Sequence, residues 1–237
     1  METSRRLLVV LATYNEIENL PSLVDAIEQA LPTAHMLVVD DNSPDGTGRW
    51  CDQRAAEDTC FTVLHRAGKL GLGSAAITAF RWALERDYDR IATMDADWSH
   101  APQSLPELVA LTSEVDIAIG SRYCPGGKIK GWPRSRRVVS SMMNRLSRMI
   151  LRIPATDMSG AFRVYRASVL QSIDLSQISE SGYAYLEELL WRLHHSGATI
   201  AEVPITFRDR ERGESKVSLA ELRGKLRMLW RCGLRGL

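Results

Sequence analysis

Short apolar runs alternate with segments of helical periodicity along the first half of the chain. The runs typical of buried strands cover residues 7–12, 36–40, 61–65, 91–94 and 115–121. Between the first two of them, apolar residues recur at helical spacing, at Leu20, Leu23, Val24, Ile27 and Leu31. This alternation predicts an α/β fold with a mostly parallel, doubly wound sheet that is flanked by helices.

The second half of the chain is less regular, but it fits the same architecture. Its predicted elements are helices over 134–150 and 183–197 and strands over 160–166 and 198–207. The sequence contains no internal repeat, low-complexity tract or long linker. We therefore expect a single domain over residues 1–216, followed by a C-terminal amphipathic helix over residues 217–237.

Composition narrows the class of protein. Of the 237 residues, 45% are hydrophobic and 25% are charged, and the formal net charge of +1 gives no reason to expect a nucleic-acid partner. The four cysteines lack metal-binding spacing and are predicted to be reduced thiols of a cytoplasmic protein. No signal peptide is visible and no uncharged stretch is long enough to cross a bilayer, so any membrane contact is expected to be peripheral.

Charge is unevenly distributed along the chain. No acidic residue occurs between Ile117 and Thr156, where the sequence places nine basic residues: Arg122, Lys128, Lys130, Arg134, Arg136, Arg137, Arg145, Arg148 and Arg152. Such a segment attracts phosphates or an anionic surface. A solvated helix face is the alternative interpretation.

Polar residues follow three predicted strands at the point where each strand ends, in residues 13–16, 40–43 and 95–97. In open α/β sheets the ligand lies beyond these carboxyl ends. The third end carries Asp95 and Asp97 with only Ala96 between them. Two carboxylates at a strand tip suit Mg²⁺ or Mn²⁺ that is shared with substrate phosphates. The alternative is that Asp97 caps the next helix while Asp95 lies in a turn.

Other polar residues allow two interpretations. Asp41 follows the second strand directly, where it could accept hydrogen bonds from a nucleotide base or ribose, or open an Asx turn. The Gly-Leu-Gly sequence at 71–73 fits a phosphate cradle, but a helix start is the better interpretation. Glu187 and Glu188 lie within a predicted helix, where charges are expected on the surface.

Several motifs together resemble a known family. In chain order they are ATYNEIENLP, VVDDNSPDGT, KLGLGSA, MDADWSH, GSRY, GWPRSRRVVSS, DMSGAFRVYR and EVPITFRDRERGESKVS. This series, from about residue 7 to about residue 218, resembles the dolichol-phosphate (polyprenol-phosphate) mannosyltransferases among the family 2 glycosyltransferases of GT-A fold. No single motif is specific, but the ordered series is.

The resemblance implies a role for individual residues. It implies a donor nucleotide pocket formed by Ala12, Tyr14, Glu16, Val39, Asp41, Asp95, Ala96, Asp97, Arg210 and Lys216. It implies metal binding by Asp95 and Asp97, and acceptor-phosphate binding by Arg122, Arg136 and Ser140. The residues implied in catalysis are Asp97, Arg122, Arg210 and Lys216. The chain departs from the family at Ala12, where Pro is usual, at Trp98, where Leu is common, and at Ser99, where Gln is frequent.

The activity that the resemblance implies is transfer of mannose from GDP-mannose to a dolichyl or polyprenyl monophosphate, with Mg²⁺ or Mn²⁺. Inversion would give a β-linked product. A phosphate acceptor is already anionic at neutral pH, so it needs no general base. One alternative is a transferase with another donor or acceptor, such as a polyprenyl-phosphate glucosyltransferase that uses UDP-glucose. The other is a non-catalytic nucleotide-sugar-binding subunit, against which Asp95 and Asp97 argue.

A lipid-linked acceptor requires contact with a membrane, which we expect at its cytoplasmic face. In the C-terminal segment, Leu219, Leu222, Leu226 and Leu229 recur at helical spacing beside Trp230. This pattern fits an interfacial helix, or a helix that packs on the protein's own core or on a membrane-anchoring partner subunit. The basic helix at 134–150 is a second candidate contact.

Overall fold

The computed structural model describes residues 6–180, 182–209 and 219–234. Within them the strands are β1 (Leu7–Thr13), β2 (His35–Asp40), β3 (Phe61–His65), β4 (Arg90–Asp95), β5 (Ile117–Ser121), β6 (Lys128–Lys130), β7 (Arg163–Arg166), β8 (Ile200–Pro204) and β9 (Thr206–Arg208). The helices are α1 (Leu20–Ala30), α2 (Thr47–Glu57), α3 (Leu72–Leu84), α4 (Leu105–Leu111), α5 (Arg134–Leu151), α6 (Ala167–Gln171), α7 (Tyr185–His195) and α8 (Leu219–Leu229).

The described strands form one large sheet and one small sheet. The large sheet has the order β3-β2-β1-β4-β7-β5-β8, and β7 is antiparallel to both of its neighbours. All other neighbours in this sheet pair in parallel. The small sheet pairs β6 with β9. The predicted mostly parallel α/β sheet is therefore confirmed.

The largest difference from the prediction lies in the C-terminal half. The single strand predicted over residues 198–207 is two strands, because the chain leaves the large sheet after Pro204 and β9 pairs with β6 instead. At the crossing point the Ile205 amide donates to the Ser121 carbonyl, at 3.0 Å. β6 was not predicted, because its three residues are too few for a periodic pattern to be visible.

Helices cover both faces of the large sheet, which explains the continuous apolar runs of the strands. Successive residues of β1 point to opposite faces, so Leu8 and Val10 join one core cluster and Val9 and Leu11 join the other. The first cluster includes residues of α3 and α7, and the second includes residues of α1 and α4. The sheet is thus buried on both faces, so a ligand can approach it only at its edges.

The expectation of surface charge on α7 is wrong, because Glu187 and Glu188 are buried. Glu187 accepts hydrogen bonds from Lys225 Nζ at 2.6 Å and from Ser147 Oγ at 3.2 Å. Glu188 pairs with Arg231 at 3.0 Å and with Arg192 at 3.2 Å. Burial raises the pKa of Glu187, although the bonds from Lys225 and Ser147 favour its charged form. Both glutamates therefore connect α7 to the C-terminal part of the chain.

The C-terminal helix packs on the protein through one side. Met228 and Leu229 belong to the larger core cluster, whereas Leu226 and Trp230 are exposed. Among the described residues, no helix combines the length and the apolarity that crossing a bilayer requires. The division of the chain at residue 217 stays a prediction.

A glycine in β5 tests how tightly the sheet packs at the β8–β9 crossing. A Cβ at Gly120 would lie 2.6 Å from Phe162 Cδ1 and 3.2 Å from Ile205 Cγ2. We expect Gly120→Ala to lower the free energy of unfolding by about 1–3 kcal/mol, because the methyl group overpacks the core. Gly68→Ala is the control, since a Cβ there meets nothing within 4 Å. Urea denaturation that gives equal stabilities for the two variants would contradict this description of β5.

Candidate active site

The parallel register of the central strands brings three sequence-predicted residues side by side. Ala12 of β1 is paired with Val39 of β2 on one side and with Asp95 of β4 on the other. Beyond this row the chain leaves the sheet in the polar segments that follow each strand. The residues predicted to bind the base, the ribose and the diphosphate therefore lie along a single sheet edge.

The strand that precedes Arg122 ends at the same edge. β5 and β4 are both antiparallel to β7, so they run in the same direction. Their carboxyl ends consequently lie on the same side of the sheet, although β7 separates them. This topology places Arg122, the first residue after β5, at the edge that also carries Asp95.

Sharp turns follow the three acidic strand ends. Asn15, Asn42 and Trp98 have φ values of 62°, 58° and 62°, in the left-handed region. Asparagine tolerates this conformation, but a bulky residue such as Trp adopts it rarely. Trp98 Nε1 donates to Ser22 Oγ at 3.3 Å, which links the turn to α1. Strained backbone of this kind is concentrated at functional sites.

Asp97 does not cap the following helix, contrary to the alternative interpretation. The helical turn at Pro102–Ser104 begins after Ala101, and no side chain caps it. Asp97 is buried instead, and its Oδ1 accepts a hydrogen bond from the Ser99 amide at 3.0 Å. The turn therefore holds the carboxylate within the loop that follows β4.

His100 supports the same loop from within the protein. The Asp95 amide donates to His100 Nδ1 at 3.4 Å, and the imidazole stacks on Phe162 with ring centroids 5.0 Å apart. Burial lowers the pKa of His100, although the nearby Asp95 carboxylate opposes that change. A neutral imidazole with its proton on Nε2 leaves Nδ1 free to accept this bond. These contacts give His100 a structural role in the loop.

The two aspartates after β2 have different partners. Asp40 makes the turn, because Oδ2 accepts from the Ser43 amide at 3.1 Å and Oδ1 from Ser43 Oγ at 2.5 Å. The Asx turn considered for Asp41 is thus formed by its neighbour. Asp41 Oδ1 instead accepts from Arg66 Nε at 2.5 Å, and Oδ2 accepts from the Leu70 amide at 3.2 Å.

Arg66 is a site residue that the sequence analysis missed. Besides Asp41, its guanidinium donates to Ser74 Oγ and to the Gly71 carbonyl, the latter at 3.1 Å. It thereby joins the end of β2 to the segment that leads into α3. A lone arginine after a strand gives no periodic or motif signal, so only the folded contact identifies it.

The glycines at 71–73 start a helix, as the sequence analysis favoured. Gly71 has φ of 97° and precedes the first residue of α3. A Cβ at Gly73 would lie 2.5 Å from the Glu180 carbonyl oxygen and 2.8 Å from Tyr185 Cβ. Close packing within the protein therefore accounts for Gly73 without a phosphate.

Tyr14 and Glu16 lie in the turn after β1. The Tyr14 ring is exposed to more than a third, and Lys69 Nζ lies 4.4 Å from its centroid. Glu16 Oε2 accepts from Asn19 Nδ2 at 2.8 Å, and the Glu16 amide donates to Thr47 Oγ1 at 3.0 Å. Contacts to three separate segments thus shape the predicted donor pocket.

Arg122 is a buried arginine with a buried partner. Its Nε donates to Asp157 Oδ2 at 2.7 Å and its Nη2 to Asp157 Oδ1 at 2.6 Å, while Nη2 also contacts Ser159 Oγ at 2.9 Å. Burial alone would lower the pKa of Arg122, but the Asp157 carboxylate outweighs burial and holds this pKa above its usual value. The guanidinium therefore remains a fixed cation at the sheet edge.

The structure brings the other predicted acceptor residues to the same region. The Tyr123 hydroxyl donates to Ser140 Oγ of α5 at 2.7 Å. Arg136 Nη1 lies 3.2 Å from both carboxylate oxygens of Asp209, and its Cζ lies 4.1 Å from the Trp132 ring centroid. Arg210 and Lys216 lie outside the described residues.

Phe207 joins the acidic and the basic sides of the site. Its ring centroid lies 5.5 Å from that of His100 and 5.3 Å from that of Trp132. The Arg122 guanidinium carbon lies 5.3 Å from the same ring. In addition, the Arg208 amide donates to the Ser99 carbonyl at 3.1 Å. β9 is therefore the element that fixes the Asp95–Asp97 loop relative to the arginines.

The donor set at the strand tip fits a divalent cation that substrate oxygens help to bind. Within residues 6–180, 182–209 and 219–234, no group of three or more His, Cys, Asp or Glu side chains is arranged to hold a metal ion. Asp95 and Asp97 supply two carboxylates, which Mg²⁺ and Mn²⁺ commonly combine with water and phosphate.

Comparison with solved structures identifies the fold. Glucosyl-3-phosphoglycerate synthase from Mycobacterium tuberculosis, in complex with Mn²⁺, UDP and glucosyl-3-phosphoglycerate, superposes with a TM-score of 0.68 at 20% identity, over 97% of this chain and 80% of that one. The same enzyme with UDP gives a TM-score of 0.67 at 22% identity, over 97% and 81% of the two chains. This likeness shows that the chain has the GT-A fold.

Comparison of sequences identifies the family. The undecaprenyl-phosphate mannosyltransferase of Micrococcus luteus is 48% identical over 213 residues, which cover 90% of this chain and 88% of that protein. The polyprenol monophosphomannose synthase of Mycolicibacterium smegmatis is 44% identical over 235 residues, which cover 98% and 89% of the two chains. The model of glycosyl transferase family 2 matches residues 8–174. Since this match spans more than half of the sequence, the chain belongs to glycosyl transferase family 2.

Proposed function

We propose that the protein transfers mannose from GDP-mannose to a polyprenyl monophosphate, with inversion at the anomeric carbon. The observation that carries this proposal is the single sheet edge that has acidic strand ends on one side and Arg122, Arg136 and Ser140 on the other. A metal-bound diphosphate suits the first side, and a second phosphate suits the other. The names of the two sequence relatives support the choice of mannose and of a polyprenyl acceptor.

The donor nucleotide would lie along the row formed by Val39, Ala12 and Asp95. Asp41 would accept hydrogen bonds from the base or ribose, and the contacts from Arg66 and Leu70 would hold its carboxylate in place. Tyr14 and Glu16 would line the pocket from the turn after β1. Arg210 and Lys216 stay predicted phosphate ligands from the sequence resemblance alone.

Asp95 and Asp97 would hold Mg²⁺ or Mn²⁺ beside the donor diphosphate. When bound, such a metal offsets the negative charge that develops on the leaving nucleoside diphosphate. The Ser99 amide and His100 would orient the two carboxylates, because they hold the loop at Asp97 Oδ1 and at the Asp95 amide. Ala96 would lie at the floor of the same subsite.

The acceptor phosphate would bind between Arg136 and Ser140, next to the fixed cation of Arg122. One of its oxygens forms a bond to the anomeric carbon, while the bond from that carbon to the donor diphosphate breaks and GDP leaves. The phosphate is already ionised, so the step releases no proton that a general base would have to accept. Attack from the face opposite the diphosphate inverts the configuration.

We also propose that the enzyme works as a peripheral protein at the cytoplasmic face of the membrane. A polyprenyl tail stays in the bilayer, so the protein must approach the headgroup plane. A membrane-anchoring partner subunit stays a prediction.

A donor assay tests the proposed function directly. The purified chain is supplied with a water-soluble, short-chain polyprenyl phosphate and with GDP-mannose, UDP-glucose or UDP-mannose, and the glycolipid formed is measured by mass spectrometry. We expect a mannosyl product from GDP-mannose alone. Preference for UDP-glucose would favour a polyprenyl-phosphate glucosyltransferase, and lack of turnover with every donor would favour a non-catalytic binding subunit.

The metal assignment predicts the effect of one isosteric change. We expect Asp97→Asn to lower mannosyl transfer at least about 100-fold, because metal assistance to the leaving group contributes several kcal/mol. Titration with Mn²⁺, followed by electron paramagnetic resonance in the presence of GDP, should show weakened metal binding. Asp87→Asn is the matched control, because Asp87 lies after α3 with φ of 55°, which Asn tolerates. Unchanged Mn²⁺ affinity in Asp97→Asn would remove this carboxylate from the metal site.

If Arg136 binds the acceptor phosphate, substitutions of Arg136 and of its neighbour Arg137 should affect KM differently. We expect Arg136→Ala to raise the KM for the short-chain acceptor at least about tenfold and to leave the KM for GDP-mannose unchanged, because charge-assisted bonds to phosphate are strong. Arg137→Ala changes an exposed arginine of the same helix and should leave both KM values unchanged in solution. A rise in the donor KM of Arg136→Ala would move this residue to the donor side.

A further inference from the structure

We propose that the outer face of α5 is the surface through which the protein docks on an anionic bilayer. We define this docking face by five apolar residues and five arginines: Val138, Val139, Met142, Leu146, Met149, Arg134, Arg137, Arg145, Arg148 and Arg152. The inference rests on the proposed function, since a lipid-linked acceptor requires a membrane, but it concerns a surface separate from the reacting groups.

The polarity of α5 is inverted relative to that of an ordinary surface helix. A surface helix normally turns its apolar stripe towards the core. In α5 the five apolar residues of the docking face are exposed by 40–67%, whereas two of the three buried residues of the helix, Asn144 and Ser147, are polar. The buried polar pair is satisfied, because Asn144 Oδ1 accepts from the Met158 amide at 2.8 Å and Ser147 donates to Glu187 at 3.2 Å. The helix is therefore built to keep an apolar face outward.

The arginines lie together along one border of this apolar stripe. Val138, Met142 and Met149 share one line of the helix at i, i+4 and i+11, and the four arginines within the helix all fall on the same side of that line, while Arg152 follows directly after the helix. None of the five arginines forms an ion pair with another residue in the described part of the chain. No acidic residue occurs between Ile117 and Thr156 to neutralise them.

A shallow surface depression marks the C-terminal end of the docking face. Its walls are formed by Arg145, Arg148 and Arg152 together with Met149, Ile153 and Pro154. Three guanidinium groups beside apolar side chains match a phosphate headgroup above the start of its acyl chains.

Charge complementarity selects a membrane over a second copy of the chain. A symmetric dimer through this face would bring identical surfaces together and would bury arginines without carboxylate partners, since the face has no acidic residue. An anionic bilayer accepts both halves of the face, since acyl chains bury the apolar residues and lipid phosphates bind the arginines.

The inner side of the same helix carries the predicted acceptor-binding residues. Ser140 accepts the hydrogen bond from Tyr123, and Arg136 pairs with Asp209 at 3.2 Å. Since an α-helix with its side chains is about 10 Å across, docking the outer face brings the headgroup plane within about that distance of these residues. The polyprenyl phosphate can then reach Arg136 while its tail stays in the bilayer.

The C-terminal helix contributes less to this surface than its sequence pattern predicts. Lys225 and Arg231 form ion pairs with buried glutamates of α7. Leu226 and Trp230 are exposed, and the end of this segment lies against α5, where a Cβ at Gly233 would overlap Ile150. These two apolar side chains extend the docking face, but most of its cations come from α5.

Vesicle flotation tests the docking face. The full-length protein is mixed with phosphatidylcholine vesicles that contain either no phosphatidylglycerol or a fixed fraction of it. We expect binding to the anionic vesicles that weakens with salt. Each arginine at an anionic surface raises the partitioning of a protein onto the membrane about fivefold. The double variant Arg145→Glu with Arg148→Glu should therefore lower partitioning onto the anionic vesicles at least about tenfold. Met142→Ser with Met149→Ser should lower binding to the same vesicles, because it removes inserted apolar area.

Matched variants control for charge and for hydrophobicity. Arg49→Glu with Arg81→Glu makes the same change of charge at exposed positions outside α5 and should leave binding unchanged. Met142→Leu with Met149→Leu keeps the face apolar and should bind like the wild type. Equal losses for the two arginine pairs would overturn the proposal, because net charge alone would then explain binding.

An activity measurement separates this inference from the proposed function. The α5 variants should retain transfer to the short-chain acceptor in solution, but lose at least about tenfold with a long-chain polyprenyl phosphate in anionic vesicles. Equal loss with both acceptors would overturn the docking role. A wild type that forms no product with the short-chain acceptor would refute the proposed function, whatever flotation shows. A wild-type dimer that Met142→Ser with Met149→Ser dissociates in sedimentation would assign the face to a second copy instead.

Discussion

The parallel pairing of β1 with β2 and β4 is the constraint on which the site depends. It fixes Ala12 between Val39 and Asp95, and it directs the chain into three polar turns at a single edge. Because a slip of one residue in this register would turn the β1 side chains to the opposite face, the cores on both sides of the sheet protect the arrangement of the site. Packing and site geometry are thus consequences of the same hydrogen bonds.

Three ion pairs position the elements that form the candidate site. Asp157 holds Arg122, Asp209 holds Arg136, and Arg66 holds Asp41. Loss of either partner of a buried pair leaves an uncompensated charge, which costs about 3–5 kcal/mol. These contacts therefore keep loops from distant parts of the chain in fixed positions, and β9 connects the acidic side of the edge to the basic side.

The two sides of helix α5 differ in chemistry. Its inner side hydrogen-bonds to the loops that carry Tyr123, Met158 and Asp209. This polar contact anchors the helix together with Leu151, which joins the larger core cluster. The apolar residues are thereby left for the outer surface. The proposed lipid-linked acceptor would use both properties, since its phosphate would meet cations while its tail stays in apolar surroundings.

Local sequence patterns determined the α/β class, most strands and helices, and the acidic strand ends, because hydrophobic periodicity and turn residues act over a few positions. They also located the Asp95–Asp97 pair. Only the tertiary structure decided which charges are buried, that the predicted strand at 198–207 divides into β8 and β9, and that α5 turns its apolar side outward. The partners of Asp41, Arg122 and Trp132 lie 25, 35 and 77 residues away along the chain. Periodicity carries no information over such separations, whereas packing of the whole chain does.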